Sequence, residues 1–240
     1  FENGTTDAKL LNGGSASVQG NGAAVQGAVI TISDAGIYRI TGTLDDGQIV
    51  IDAGKDDAVT LVLDNADISC SDSAGIYAKQ AGITTLLLQD GTQNSVSDAA
   101  QYAYPDGGDE PDAAIFAKDD LTIAGSGTLT VTGSFNNAIG SKDNLLIESG
   151  TLIVTAANDG LRGRDSVTIT DGNFTIDAQG DGIKSNNDED AEKGWITLSG
   201  GVYQITAGND GIQAETDMTI TGGTYTIVTG GGSANAPARK

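Results

Sequence analysis

Acidic residues recur at a fixed place in a repeated motif. Asn158-Asp159-Gly160-Leu161 returns as Gly180-Asp181-Gly182-Ile183 and as Asn209-Asp210-Gly211-Ile212, with a looser copy at Asn136-Asn137-Ala138-Ile139. Leu161 and Ile183 lie 22 residues apart. A repeat of this length stacks each residue over its counterpart in the next unit. Two places before the anchoring Ile or Leu, the stack presents Asn137, Asp159, Asp181 and Asp210. Neighbouring strands are about 4.8 Å apart, and bare carboxylates at that spacing repel by about 3 kcal/mol per pair at an effective dielectric near 20.

Calcium is the simplest counterweight, because it takes six to eight hard oxygen ligands in flexible geometry. The expected ligands are Asn158, Asp159, Asp181, Asn209 and Asp210 along the column, with Asn187, Asp188 and Asp190 from the run that follows the Ile183 strand. A local reading competes: Asx-Gly is a favoured turn in which the Asp side chain satisfies backbone amides. It explains each Asp-Gly alone, and explains less well why carboxylates recur in register.

A second column is basic. Three places after the anchor stand Lys79, Lys118, Lys142 and Arg164, four of 12 basic residues. One place after it stand Tyr77, Phe116, Arg162 and Lys184. Positions one and three share a face of a strand, so one outer face is expected to carry a cationic ladder with aromatics at one end. Trp195, the only tryptophan, also faces outward and is suited either to stacking on a sugar ring or to packing an insertion. A face with calcium, Lys and Arg suits a linear polymer bearing carboxylates. The alternative is charge balance, with Asp119, Asp143 and Asp165 pairing the basic groups of neighbouring units.

Three short alternating segments per repeat position these columns. They are the anchor segment, a second such as Leu121-Thr122-Ile123, and a third holding Leu129 and Val131, with Tyr203 and Tyr225 in its later copies as core residues. Period-two alternation, β-branched residues and glycine corners predict an all-β parallel β-helix solenoid, about 22 residues and three strands per coil. Residues 1–232 are expected to form one domain with an N-terminal cap, and 233–240 a linker or disordered tail. Insertions are expected at 89–112 and 187–193.

The 240 residues carry a formal charge of −21, which argues against nucleic acid as a partner. Histidine is absent, so histidine-ligated zinc and a Ser-His-Asp triad are excluded. Cys70 is the one cysteine and is expected to be a buried core thiol. No stretch is apolar enough to insert in a membrane as a helix. A start at Phe1 is read as that of a processed or excised chain, and a monomer is expected.

Several segments together resemble a known family. They are Ala114-Ile115-Phe116-Ala117-Lys118-Asp119-Asp120, Asn158-Asp159-Gly160-Leu161, the stretch from Asp181-Gly182-Ile183 through Asn187-Asp188-Glu189-Asp190, and Asp210-Gly211-Ile212. The chain resembles secreted bacterial carbohydrate-binding domains with a polysaccharide-lyase-like, right-handed parallel β-helix. The resemblance implies calcium, a place in the medium or at the cell surface, and binding of plant cell-wall polysaccharide, acidic pectic chains and cellulose included. A non-catalytic module is expected. A calcium-dependent pectate-type lyase is the first alternative, with Arg162 or Lys184 as base, and a structural or adhesive surface domain is the second.

Overall fold

The computed structural model describes residues 6–11, 15–104 and 107–230. The expected tail at 233–240 lies outside the described residues, as does Pro105 of the first insertion. The described elements are all strands.

The anchor strands Ile76–Gln80, Ala113–Ala117, Asn137–Ser141, Leu161–Gly163, Ile183–Ser185 and Ile212–Ala214 pair in parallel, with Ile76, Ile115, Ile139, Leu161, Ile183 and Ile212 in register. Their inward positions two places on are all small, and Ala78, Ala117, Ser141 and Ser185 are buried. A second parallel series aligns Leu121, Leu145, Val167, Ile196 and Met218. A third aligns Leu129, Leu152, Phe174, Tyr203 and Tyr225. Phe174, Tyr203 and Tyr225 stack face to face with centroids 4.7 and 4.6 Å apart. Each tyrosine hydroxyl donates to a corner carbonyl, Gly200 O at 2.8 Å and Gly222 O at 2.7 Å. Alternation therefore places apolar side chains inside along each series, up to the last unit, where Met218, Ile220 and Ile227 are exposed.

The strand pairing overturns the expected right-handed β-helix solenoid. There are two large sheets, of 16 and nine strands, not three separate faces of a closed coil. Both are mixed, because Thr6–Leu11 pairs antiparallel with Ser15–Gln19 and Ala23–Gln26 pairs antiparallel with Val29–Ile32. The second and third series merge at the 12-residue strand Ala58–Ser69, whose first half pairs with Ile83–Leu88 and whose last residues pair with Gln93–Ser97. Asn65 turns the corner inside that strand at φ 54°. This is the left-handed region that Asn tolerates better than most residues, so the chain bends there without leaving the ladder. All-β is the part of the expectation that holds.

The first insertion is shorter than its composition suggested. Gln93–Ser97 is a strand of the third series, with Asn94 opposite Leu129. Asn94 is buried and fully used: it accepts from Ala66 N and donates to Thr92 Oγ1 and Thr128 O. A polar residue at a core position hid the strand. Cys70 is buried as expected, and burial pushes its thiol up to about 11.

Candidate functional site

The acid column exists in register. Asn137, Asp159 and Asp181 are buried, whereas Asp210 is exposed. Each side chain caps the backbone of the next unit: Asn137 Oδ1 accepts from Asp159 N at 3.2 Å, Asp159 Oδ1 from Asp181 N at 2.9 Å, and Asp181 Oδ1 from Asp210 N at 2.9 Å. The second oxygens meet a cation. Lys184 Nζ lies 2.6 Å from Asp181 Oδ2 and 3.4 Å from Asp159 Oδ2. Burial alone would lower the Lys184 ammonium, but the two carboxylates outweigh it and hold its pKa above the ordinary lysine value. The repulsion expected between bare carboxylates is thus offset by backbone N–H groups and one internal ammonium. Gly180 is required beside them, since a Cβ there would lie 2.5 Å from Asn158 Oδ1 and 2.6 Å from Asp159 Oδ1.

The donors in this column are hard oxygens of the kind calcium takes. Their geometry already gathers positive charge at one point, where Lys184 sits. Among the described residues, no group of three or more Asp, Glu or Cys is placed to hold a metal ion. The second insertion does not join the column. Asn187 is buried at the other end of the anchor strands: its Nδ2 donates to Asp165 Oδ1 at 2.6 Å, and its Oδ1 caps Glu189 N and Asp190 N. Asp188 and Asp190 are exposed there. The eight expected ligands are therefore two groups, separated by the length of a strand.

The cationic ladder is present, and every member has an acidic partner. Lys79 pairs with Asp52 at 2.7 Å, Lys118 with Glu110 at 3.0 Å, and Arg162 with Asp112 at 3.0 Å. Lys142 also pairs with Glu110, and Arg164 pairs with Glu189. These partners differ from the Asp119, Asp143 and Asp165 proposed from adjacency. Asp119 caps Ala81 N, and Asp165 binds Lys193 and Asn187. Burial, then the charges of Asp165, Asp120 and Asp119, raises the Asp143 carboxyl. Asp119, Asp143 and Asp165 thus form an acidic row beside the ladder, directly after Lys118, Lys142 and Arg164 in sequence, and Asp119 and Asp165 have partners of their own.

The loop after Ser97 delivers Glu110 and Asp112 to the ladder. Tyr102 stacks on Phe135 with centroids 4.2 Å apart and donates to Asp98 Oδ2 at 2.6 Å, while Tyr104 donates to Pro111 O at 2.8 Å. Burial would raise the Glu110 carboxyl, but Lys142 and Lys118 outweigh it and hold it below its usual range. Asp112 goes the other way: burial raises it despite Arg162. Phe116 does not offer its ring to solvent. It is buried, 5.9 Å from the half-buried Tyr77. Trp195 lies apart from all of these, on the 16-stranded sheet in register with Ser166.

Comparison with known proteins agrees with a sugar-binding role. Residues 26–240 match the family of carbohydrate-binding domain-containing proteins. A carbohydrate-binding domain-containing protein of Acetivibrio thermocellus is 41% identical over 137 residues, 57% of this chain and 48% of the relative. The chain thus spans about half the length of that curated relative. A solved polysaccharide lyase-like protein from C. thermocellum, in a gadolinium derivative, matches with a TM-score of 0.84 at 34% identity over 95% of both chains. With the family match running over nearly all of its length, the chain belongs to the family of carbohydrate-binding domain-containing proteins.

Proposed function

We propose that this is a non-catalytic domain that binds an acidic polysaccharide, a pectin-like uronate chain, along the outer face of the nine-stranded sheet, with calcium completing the contact. The observation that carries the reading is the ladder itself. Six basic groups, Lys79, Lys118, Lys142, Arg162, Arg164 and Lys184, each hold a carboxylate already. A uronate chain offers the same group at regular intervals. The pairs of Lys79, Lys118, Lys142 and Arg164 are partly exposed, and exposed ion pairs are worth only about 0–1 kcal/mol each, so exchanging those carboxylates for the ligand's costs little; the more buried pairs of Arg162 and Lys184 cost more to open. Arg162 and Arg164 supply planar forks suited to carboxylate.

Calcium would be held by Asp159 and Asp181 with Asn158, Asn209 and Asp210, and it would supply positive charge against the −21 of the chain. Occupancy requires Lys184 to leave the Asp181 and Asp159 oxygens, which frees that ammonium for the ligand. A secreted or cell-surface location, and monomeric action, belong to the same proposal.

The lyase alternative is disfavoured by the two candidate bases. A base must be unprotonated near neutrality. Lys184 is held protonated by two carboxylates, and Arg162 is committed to Asp112 and Asn186. Polygalacturonate binding followed together with absorbance of unsaturated product tests the proposal. Binding without product is expected; product formation would replace this reading with the enzyme.

A further inference from the structure

We propose that Glu110 and Asp112 are a tethered competitor for the cationic ladder. They hold the places of two ligand carboxylates, and so restrict the site to chains that bring several neighbouring free carboxylates at once. The inference rests on the acidic reading of the nine-stranded sheet and gives these two residues a part in selecting the ligand.

The two carboxylates follow the ladder as a ligand would. Glu110 Oε2 lies 3.0 Å from Lys118 Nζ, Glu110 Oε1 pairs with Lys142, and Asp112 Oδ2 lies 3.0 Å from Arg162 Nη1. Phe116, Gly140 and Arg162 align on consecutive strands, so the three cations belong to three successive units. Two inter-strand steps make about 10 Å. One short segment thus spans the middle of the ladder.

The arm that brings these acids is lightly attached. Residues 107–112 lie outside the strands. Among the described residues, no main-chain N–H of 108–110 has a main-chain acceptor. A Cβ built on Gly107 or Gly108 would meet nothing within 4 Å. A cavity of about 200 Å³ lies under the arm, lined by Tyr77 of the sheet and by Tyr104, Glu110 and Pro111 of the loop. Asp112 is fixed only through its backbone, where its carbonyl accepts from Asn137 N at 3.1 Å. Its Oδ1 is buried with no hydrogen-bond partner among the described residues, and burial raises this carboxyl despite Arg162. Turning the side chain outward returns that oxygen to water, which offsets the loss of the Arg162 pair.

A carboxylate on a short tether competes at an effective concentration on the order of millimolar. A single uronate below that concentration loses to Glu110. A polyuronate that engages Lys79 or Arg164, beyond the arm, becomes tethered itself and then competes for Lys118, Lys142 and Arg162 on equal terms. Methyl esters remove the charge and with it the competing group.

The test is calorimetry in calcium with polygalacturonate, galacturonic acid and highly methyl-esterified pectin. The wild type is expected to bind polygalacturonate alone. The Glu110→Gln, Asp112→Asn double variant should bind it about tenfold tighter. Its salt dependence should be steeper, because three cations start without a carboxylate. Acids that merely position the ladder would give weaker binding when removed. Glu110→Gln alone should show part of the gain, and it serves if the double variant does not fold. In the Lys118→Ala, Lys142→Ala background, Glu110→Gln should leave affinity unchanged. Affinity at or below that of the wild type in folded variants overturns the proposal and leaves the acidic reading standing. Absence of polygalacturonate binding by the wild type and every variant overturns the acidic reading, and this inference with it.

Discussion

Lys184 places its ammonium 2.6 Å from the carboxylate of Asp181, three residues earlier in the chain. The same nitrogen reaches Asp159 of the preceding unit at 3.4 Å. One lysine thereby bridges two buried carboxylates that parallel stacking forces together, offsetting one of their two charges. It occupies the position where a divalent ion would do most to relieve their repulsion.

Lys184→Gln therefore separates the two cations. Without chelated metal, the variant leaves two buried carboxylates unpaired and should lose about 3 kcal/mol of stability. Added calcium should restore much of that loss and bind the variant more tightly than the wild type. Thermal melts with calcium and with chelator check this. A melt unchanged by the substitution and by calcium would contradict it.

The ladder predicts a loss of affinity. Lys118→Ala with Lys142→Ala removes two adjacent carboxylate-binding groups and should weaken polygalacturonate binding by about tenfold, with a shallower salt dependence. Calorimetry at two salt concentrations reads both. Unchanged affinity would leave charge balance with Glu110 as the whole role of these lysines.

Glu110 gives a pH signature. Its carboxyl is lowered in the fold, so its contribution is fully present above its ordinary value of 4.5 and is lost as pH falls through the lower folded value. Asp112, raised in the fold, contributes with the opposite sign: stability rises as pH falls through its folded value toward its ordinary 3.8. Glu110→Gln should cost about 1 kcal/mol at neutral pH, and the gap from wild type should close below pH 4.5. A gap independent of pH would contradict the pairing with Lys118 and Lys142.

Asn94→Leu tests the hidden strand. The substitution matches Leu129 in register but removes the acceptor for Ala66 N–H. Leaving that buried donor unpaired should cost about 1–3 kcal/mol despite the apolar gain. A stabilised variant would show that Asn94 is not part of the core network.

The repeat was legible because stacking puts like on like: the aligned anchors Ile139, Leu161 and Ile183, and the column of Phe174, Tyr203 and Tyr225, can be read from the letters. How the faces join was not legible. That depends on Ala58–Ser69 passing through a corner at Asn65, a backbone feature that one Asn does not announce. Gln93–Ser97 does not read as a strand because a buried, satisfied Asn looks like a loop residue. The basic column was legible as a row, but its partners were not. Glu110 and Asp112 arrive on a loop whose path is set by Tyr102 stacking on Phe135, a contact between residues far apart in sequence. Alternation shows that Trp195 faces outward, but its separation from the ladder depends on which sheet its strand joins, which alternation does not show.

The most direct test of the central claim is a polygalacturonate titration with and without chelator, following binding and unsaturated product in the same sample. Saturable binding that weakens with chelator and yields no product is the predicted result. Product accumulation, or no binding in the presence of calcium, would contradict it.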